Sequence, residues 1–339
     1  MVYLAPPTTV SVSIVIGTRD RPGDLHGCLS GLVAQQTNRQ VEIIVVDNNP
    51  SSGETAEVVA MFPGVRLVRE ERRGVACARN AGILASVGEI IVTVDDDVRV
   101  PSDWLEKLVA PFSRSDCWAV TGNVLPLETE TAGARLFEAY GGLGRGAEPF
   151  EVDREWFKSF RLRAVPTWRL GGTANAAFRR SVFEHPRIGL MNEMLGSGMP
   201  AGVGEDTYLF YRVLKAGGSI RYEPSAYVWH RHRPELDGLR RQIYAYSKGH
   251  VAYHLITLLW DHDLRAVSRL VAALPVTHLG RLLRRAVRSA ERQMLLVTLI
   301  EIAGNLAGPW SLWRSYRMAK RQGRDSLRES IPVLLADKG

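Results

Sequence analysis

The chain has 339 residues, 45% of them hydrophobic and 23% charged, with a formal net charge of +7. That length can bury a substantial core in one large domain or two smaller ones, and the even composition excludes a disordered, fibrous or repeat protein. Three scattered cysteines, Cys28, Cys77 and Cys117, show no metal-ligand spacing; they exclude a disulfide framework and fit a reducing compartment. The first residues have no basic segment followed by a long apolar one, so no secretory signal is expected.

The charge is unevenly placed. Residues 236–339 hold 17 Lys+Arg against 8 Asp+Glu, whereas the rest of the chain is close to neutral. A basic back half is a candidate for phosphate-rich partners or an anionic membrane surface.

In chain order, residues 10–16 alternate with period two and predict a first strand, followed by a charged loop over 17–23. Leu25, Cys28, Leu29, Leu32 and Val33 fall at helical spacing, with Asp24 as the expected N-cap. Residues 41–46 predict a second buried strand, 54–62 a helix, 65–68 a short third strand and 74–82 a helix start rich in small residues. The apolar run 90–94 predicts a strand buried on both faces, and Asp103 with Glu106 reads as a capping box for the helix bearing Trp104, Leu105, Leu108 and Val109. Strand alternating with helix in this way means βαβ units and a mostly parallel sheet. The first strand is not followed by Gly-x-Gly-x-x-Gly, and Gly-x4-Gly-Lys-Ser/Thr occurs nowhere, so an ordinary dinucleotide fold and a P-loop NTPase find no support.

The strand at 90–94 ends in Asp95, Asp96 and Asp97. Three adjacent acids at the carboxyl end of a buried strand repel one another and are costly to desolvate unless a cation neutralises them. That edge of an open α/β sheet is where ligands bind, and carboxylate oxygens suit a hard divalent ion. Every other predicted strand end or helix start nearby also carries a polar group: Thr18 and Arg21, Asp47 and Asn48, Arg79 and Asn80. A nucleoside diphosphate with its metal would use such groups, since arginine can approach phosphate bidentately and acids can hold the cation.

Residues 125–170, with Gly141, Gly142, Gly144 and Gly146, read as a flexible insertion that closes over a substrate or merely connects. Glu205 and Asp206 open a helix carrying Leu209, Phe210, Val213 and Leu214 and stopped by Gly217; acids in a first turn also serve as ordinary dipole partners. Strands are expected at 219–222 and 226–229, the second ending at His230. His250 and His254 stand at i, i+4 without a third ligand and read as structural.

Residues 282–288 are basic and amphipathic. Residues 294–313 approach membrane-spanning length but contain Glu301, Asn305 and a Gly308-Pro309 break, which favours helices lying on a membrane, anchored by Trp310 and Trp313, with 314–324 facing anionic lipid. The apolar run beside the basic charge points away from nucleic acid.

With these pieces in order, the chain resembles the family 2 glycosyltransferases of the GT-A fold. The match is carried by Ile14 to Arg21, Val45-Val46-Asp47-Asn48, Ala78-Arg79-Asn80 within 74–82, and Asp95-Asp96-Asp97 within 94–101. In the second half it is carried by 171–179, 193–198, Gly204-Glu205-Asp206-Thr207 and Val228-Trp229-His230. The resemblance implies a GT-A catalytic domain over 1–235 and a basic helical region over 236–339. It implies that Thr18, Arg21, Asp47, Asn48, Arg79, Asp95 and Asp96 grip the donor nucleotide. Mg2+ or Mn2+ is expected on Asp96, Asp97 and His230, as a DxD-type site. Asp206 matches the general base, with Glu205 beside it.

The implied reaction moves a hexosyl or deoxyhexosyl group from a UDP-, dTDP- or GDP-linked donor to a hydroxyl acceptor. A single base and no carboxylate nucleophile imply inversion. The expected setting is cell-surface polysaccharide or glycolipid synthesis on the cytoplasmic face of the membrane, with a glycan or lipid-linked acceptor. Two alternatives are a nucleotidyltransferase of related fold, which would release pyrophosphate, and a non-catalytic nucleotide-sugar-binding or membrane scaffold protein.

Overall fold

The computed structural model describes residues 10–286 and 292–322. The N-terminal positions 1–9, where the absent secretory signal was expected, lie outside them, as do 287 and 288 of the basic amphipathic stretch and 323 and 324 of the expected lipid-facing one. The strands are β1 (Val12–Thr18), β2 (Val41–Asp47), β3 (Val65–Arg69), β4 (Ile90–Asp95), β5 (Val98–Arg99), β6 (Cys117–Pro126), β7 (Phe150–Val152), β8 (Asn175–Arg179) and β9 (Ser219–His230). Among the helices, α1 covers Pro22–Val33, α2 Glu54–Ala60, α3 Val75–Ala85, α4 Trp104–Val109, α5 Ala132–Tyr140 and α6 Arg154–Ser159. Beyond them, α7 covers Arg180–Glu184, α8 Glu205–Ala216, α9 Leu236–Leu259, α10 Arg265–Val267, α11 Leu274–Ala286 and α12 Arg292–Arg321.

All the strands join one sheet in the order β3-β2-β1-β4-β8-β6-β9-β5, with β7 beside β9. Apolar residues fill both faces of the central strands, as parallel strands covered by helices require. Ile14, Ile16, Val92 and Val94 pack with Leu25, Leu29, Trp104 and Leu108 on one face, and Val15, Val46 and Ile91 pack with α3, α8 and α9 residues on the other. The strands β3, β2, β1 and β4 are parallel, which brings their carboxyl ends to one edge: Thr18 pairs with Asp47, and Gly17 with Asp95. Gly82 lets α3 lie close over β1 and β2, since a Cβ there would come 2.3 Å from Val15 Cγ1 and 2.9 Å from Val46 Cγ2.

Strand β8 runs antiparallel to both its neighbours, β4 and β6, so β6 returns to the direction of the first strands and β9 pairs parallel with it. The short antiparallel pairing of β5 with β9 sets Val98 opposite His230, and so brings His230 beside the residue that follows the acids.

Several local expectations give way to tertiary contacts. The first strand starts two residues later than its alternation predicted. Arg21 occupies the N-cap position of α1, and Asp24 lies in the first turn, accepting from Arg231 at 2.6 Å. The Asp103–Glu106 capping box is not formed: Asp103 makes no side-chain cap bond, and Glu106 instead accepts from Arg39 and Thr37. The two strands expected at 219–222 and 226–229 are one, β9. Residues 125–170 carry α5, β7 and α6 rather than a plain connection.

The C-terminal helices pack back onto the rest of the protein. The helix α12 runs unbroken through Gly308 and Pro309, because α9 supports it along its length. Gly304 permits that approach, since a Cβ there would stand 2.6 Å from Ser247 Cβ. Glu301, expected to be a liability in an apolar run, is buried and accepts from Arg281 at 2.9 and 3.0 Å and from Tyr140 at 2.9 Å. His250 and His254 stack edge-on against Trp168, inside the protein.

Candidate active site

A cleft of about 1010 Å³ opens over the carboxyl ends of β1 and β4 and reaches the C-terminal helices. Thr18, Arg21, Asn48, Arg79, Asp95, Asp96, Asp97, Glu205, Asp206 and His230 all line it. The parallel sheet supplies the first half of this group, and the start of α8 and the end of β9 the second.

The three adjacent acids separate by environment. One oxygen each from Asp95 and Asp97 and one ring nitrogen of His230 all lie within 4.8 Å of one another. Asp96 turns elsewhere, accepting from the Thr18 hydroxyl at 2.6 Å and from Arg21 at 3.0 Å. Burial, tempered by Arg21, raises the Asp96 carboxyl to about 6, whereas Asp97 is held below its ordinary range because His230 and Arg21 outweigh its burial. Burial pulls His230 down, but the Asp97 charge prevails and raises it. His230 Nε2 lies 3.1 Å from Asp97 Oδ1, and neither that oxygen nor His230 Nδ1, both buried, has a well-aligned hydrogen-bond partner.

Arg79, almost wholly buried on α3, joins the two halves of the cleft. It donates to Asp95 at 2.5 Å and to Glu205 at 2.8 Å. Glu205 also accepts from the Gly204 amide at 3.0 Å, and burial together with the neighbouring Asp206 raises its carboxyl to about 7. Asp206 is half-buried; its Oδ1 accepts from the Thr207 amide at 2.6 Å and hydroxyl at 3.2 Å. Its Oδ2 faces Gly172, 3.3 Å from where a Cβ on that residue would stand.

Two of the expected nucleotide contacts are engaged with the protein itself. Asp47 is 1% exposed and accepts from the Asn49 amide at 3.0 Å. Asn48 donates to the carbonyls of Glu70 and Arg72 and accepts from the Gly74 amide, so its amide fixes the entry to α3. The sequence reading missed Arg145, Trp168 and Arg269, which also line the cleft. They stand in irregular segments or the helical tail, and no spacing marked them.

This arrangement of sheet, acids and helix is that of a glycosyltransferase with the GT-A fold. The chain belongs to glycosyl transferase family 2, whose family model matches residues 13–185. It is 26% identical over 317 residues to the pre-mycofactocin glycosyltransferase of Mycobacterium tuberculosis, covering 88% of this chain and 62% of that protein's length. The glycosyltransferase AglE of Haloferax volcanii is 24% identical over 301 residues, covering 85% of this chain and 90% of the relative. Among solved structures, the mannosyltransferase PcManGT of Pyrobaculum calidifontis, in complex with GDP-Man and Mn2+, superposes with a TM-score of 0.59 at 18% identity, covering 91% of each chain.

Proposed function

We propose that the chain is a metal-dependent, inverting glycosyltransferase that uses a nucleoside-diphosphate sugar in glycoconjugate or polysaccharide synthesis. The observation that carries this reading is the gathering of two groups in one cleft: the cluster of Asp95, Asp97 and His230, and the half-buried carboxylate of Asp206. The named activities of the relatives, and the GDP-Man and Mn2+ bound by PcManGT, agree with it.

The donor set fits Mg2+ or Mn2+, since it offers two carboxylates and an imidazole, with orphaned buried atoms on Asp97 and His230 that a cation would satisfy. When bound, the ion supplies charge neutralisation for the departing diphosphate. Arg21 keeps Asp96 and Asp97 in place, and Arg79 fixes Asp95 relative to Glu205. Thr18 holds Asp96 toward β1. Asp206 takes the proton of the acceptor hydroxyl as that oxygen forms its bond to the anomeric carbon. The bond from that carbon to the diphosphate breaks on the opposite face, and the nucleoside diphosphate leaves with the electron pair. Glu205, paired with Arg79, positions the start of α8.

The region 1–235 carries this chemistry through its described residues, while the described residues of 236–339 wall the acceptor side and bring the enzyme to the cytoplasmic membrane surface. Exposed Leu306, Trp310 and Trp313, followed by Arg314, Arg317 and Lys320, support a peripheral anchor. The helix 293–321 is also long and apolar enough to cross a membrane, but its buried ion pair to Arg281 favours the surface.

A thermal-shift screen of UDP-, dTDP- and GDP-linked sugars with and without Mn2+ tests the donor and metal. Stabilisation by one nucleotide series only when Mn2+ is present is expected. Asp206→Asn should keep that binding and lose transfer by about 10²–10⁴-fold; an unchanged turnover would remove the base assignment.

A further inference from the structure

Most of the large apolar side chains exposed among the described residues fall between Leu259 and Tyr316, in the C-terminal helices. Leu306, Trp310 and Trp313 of α12 are one part of that surface. Helix α11 carries another. Val276, Leu279 and Leu283 fall at i, i+3 and i+7 and are 69%, 58% and 63% exposed. Leu264, Val267 and Val271 repeat that spacing through α10 and the π-helical turn Ser268–Ala273, and are exposed as well. Apolar stripes of this kind ordinarily face a core, and an exposed one marks a contact with a partner or a membrane.

The opposite face of α11 is a wall of the cleft. Leu274, Thr277, His278 and Arg281, at i, i+3, i+4 and i+7, all line it. Helix α12 holds that face inward: Arg281 donates to Glu301 at 2.9 and 3.0 Å, and Asn305 Nδ2 stands 2.7 Å from His278 Nε2. The rotation of α11 is thereby fixed, and its apolar stripe stays outside. Only the thickness of one helix, about 10–12 Å with its side chains, lies between this end of the cleft and the stripe.

Charge selects what covers the stripe. Among the described residues from Leu259 onward the acids are Asp261, Asp263 and Glu301, and each is almost wholly buried against a cation. The exposed charged side chains described there, Arg284 on α11 and Arg314, Arg317, Lys320 and Arg321 on α12, are all positive. A second copy of the chain would set like charges against one another. Anionic headgroups would instead neutralise them while the apolar stripe enters the bilayer.

We propose that α11, with the turn before it, is a membrane-docking face that sets the cleft against the bilayer, and that the acceptor is carried on a lipid. A helix lying in the interface sinks about 5–10 Å into the boundary between headgroups and acyl chains. Its inner face, one helix diameter away, then stands at headgroup level, where a hydroxyl borne by a lipid enters the cleft and reaches Asp206. This deepens the transferase reading and rests on it. It also goes beyond anchoring by α12, which leaves the direction of the cleft open.

The three cysteines are buried, so a cysteine placed at Leu279 is labelled alone by an environment-sensitive nitrobenzoxadiazole. In the full chain carrying Leu279→Cys, phosphatidylglycerol vesicles should raise the emission severalfold, and nitroxides on the acyl chains should quench it. The same label in Val87→Cys, exposed at the amino-terminal edge of the parallel strands, should not respond. Leu279→Ser with Leu283→Ser should lower vesicle affinity about tenfold or more, with Trp310 and Trp313 still in place, because apolar surface is withheld. The acceptor is tested with Mn2+ and the radiolabelled sugar donor whose nucleotide the protein binds. A lipid extract of the source cells, presented in those vesicles, should give an organic-soluble product, and their aqueous extract none. A silent label on vesicle-bound protein, wild-type affinity in the serine variant, or no vesicle binding overturns the docking face. So does a label that responds to protein concentration alone, which would mean that a second copy covers the stripe. Product only from the aqueous extract, or none from the lipid extract, overturns the lipid-borne acceptor. Failure of every nucleoside diphosphate to bind removes the transferase reading instead, and the fluorescence measurement then still judges α11.

Discussion

Arg79 donates to Glu205 at 2.8 Å, and both side chains are almost wholly removed from solvent. This contact ties α3, which lies over the parallel strands, to the first turn of α8, which carries Asp206. Asp95 completes it from the other side of the guanidinium at 2.5 Å. A single arginine thus fixes the distance between the two working halves of the cleft.

Glu205 makes the pH dependence of this link measurable. Its carboxyl is raised from an ordinary value of 4.5 to about 7, first by burial and then by Asp206. The folded protein therefore holds more protons at this group than the unfolded chain does across that interval, and the group's contribution to stability is fully present below 4.5 and lost as pH rises through about 7. Glu205→Gln should flatten that slope, by up to about 1.4 kcal/mol per pH unit for one proton. Urea denaturation midpoints measured on either side of the interval check it; an identical slope in the variant would remove Glu205 as its source.

The three adjacent acids make a second prediction. Asp97 and Asp95 stand with His230, whereas Asp96 is engaged with Thr18 and Arg21. Asp97→Asn should weaken Mn2+-dependent nucleotide binding by about tenfold or more. Asp96→Asn, which keeps an acceptor oxygen for the Thr18 hydroxyl, should weaken it less. Chelation with EDTA should reduce nucleotide affinity in the wild type and have little further effect in Asp97→Asn. Nucleotide titrations with and without Mn2+ measure all three, and equal losses in the two variants would count against the division of roles.

Much of this site was legible because parallel strands converge at their carboxyl ends. Residues scattered from Thr18 to Asp97 come to one edge once the strands at 41–46 and 90–94 are recognised, and apolar runs alone identify those. Division among the acids was less accessible, although the i, i+2 spacing of Asp95 and Asp97 hinted at a shared direction. Asn48 was expected to face the nucleotide, but its amide is engaged with Gly74, Glu70 and Arg72, a use that depends on a loop folding back over 22 to 26 residues. The insertion of β8 between β4 and β6 joins segments more than eighty residues apart in the chain, and local pattern says nothing of such pairings. Helix α12 shows the same limit. Gly308-Pro309 reads as a break, and only the support of α9 keeps the helix continuous.

The proposed membrane association of the C-terminal helices rests on Leu306, Trp310 and Trp313, which are 78%, 61% and 43% exposed. The two tryptophan rings stack at 4.5 Å, and Arg317 lies over Trp313 at 4.8 Å. Such a patch suits an anionic interface, where indoles insert and cations meet headgroups. The full chain should co-sediment with vesicles containing phosphatidylglycerol, and bind less to phosphatidylcholine vesicles and in high salt. Trp310→Ala with Trp313→Ala should lower the bound fraction severalfold while leaving the melting temperature nearly unchanged, since both residues are largely solvent-facing. Wild-type sedimentation by the double variant would exclude this patch as the anchor.

The packing of α12 on α9 sets the last expectation. A Cβ at Gly304 would lie 2.6 Å from Ser247 Cβ and 2.8 Å from the Tyr244 carbonyl, neither of which is a flexible side-chain end. A side chain there must push the helices apart, a form of overpacking that costs about 1–3 kcal/mol. Separation would also strain the contacts of Glu301, one turn earlier on α12, with Arg281 and Tyr140. Gly304→Val should therefore lower the melting temperature, and protection of α9 and α12 amides from hydrogen exchange should fall together. Amides of β1, β2 and β4, whose hydrogen bonds lie within the sheet, should keep their protection. Uniform loss of protection across the sheet would mean instead that the C-terminal helices and the catalytic half unfold as one cooperative unit.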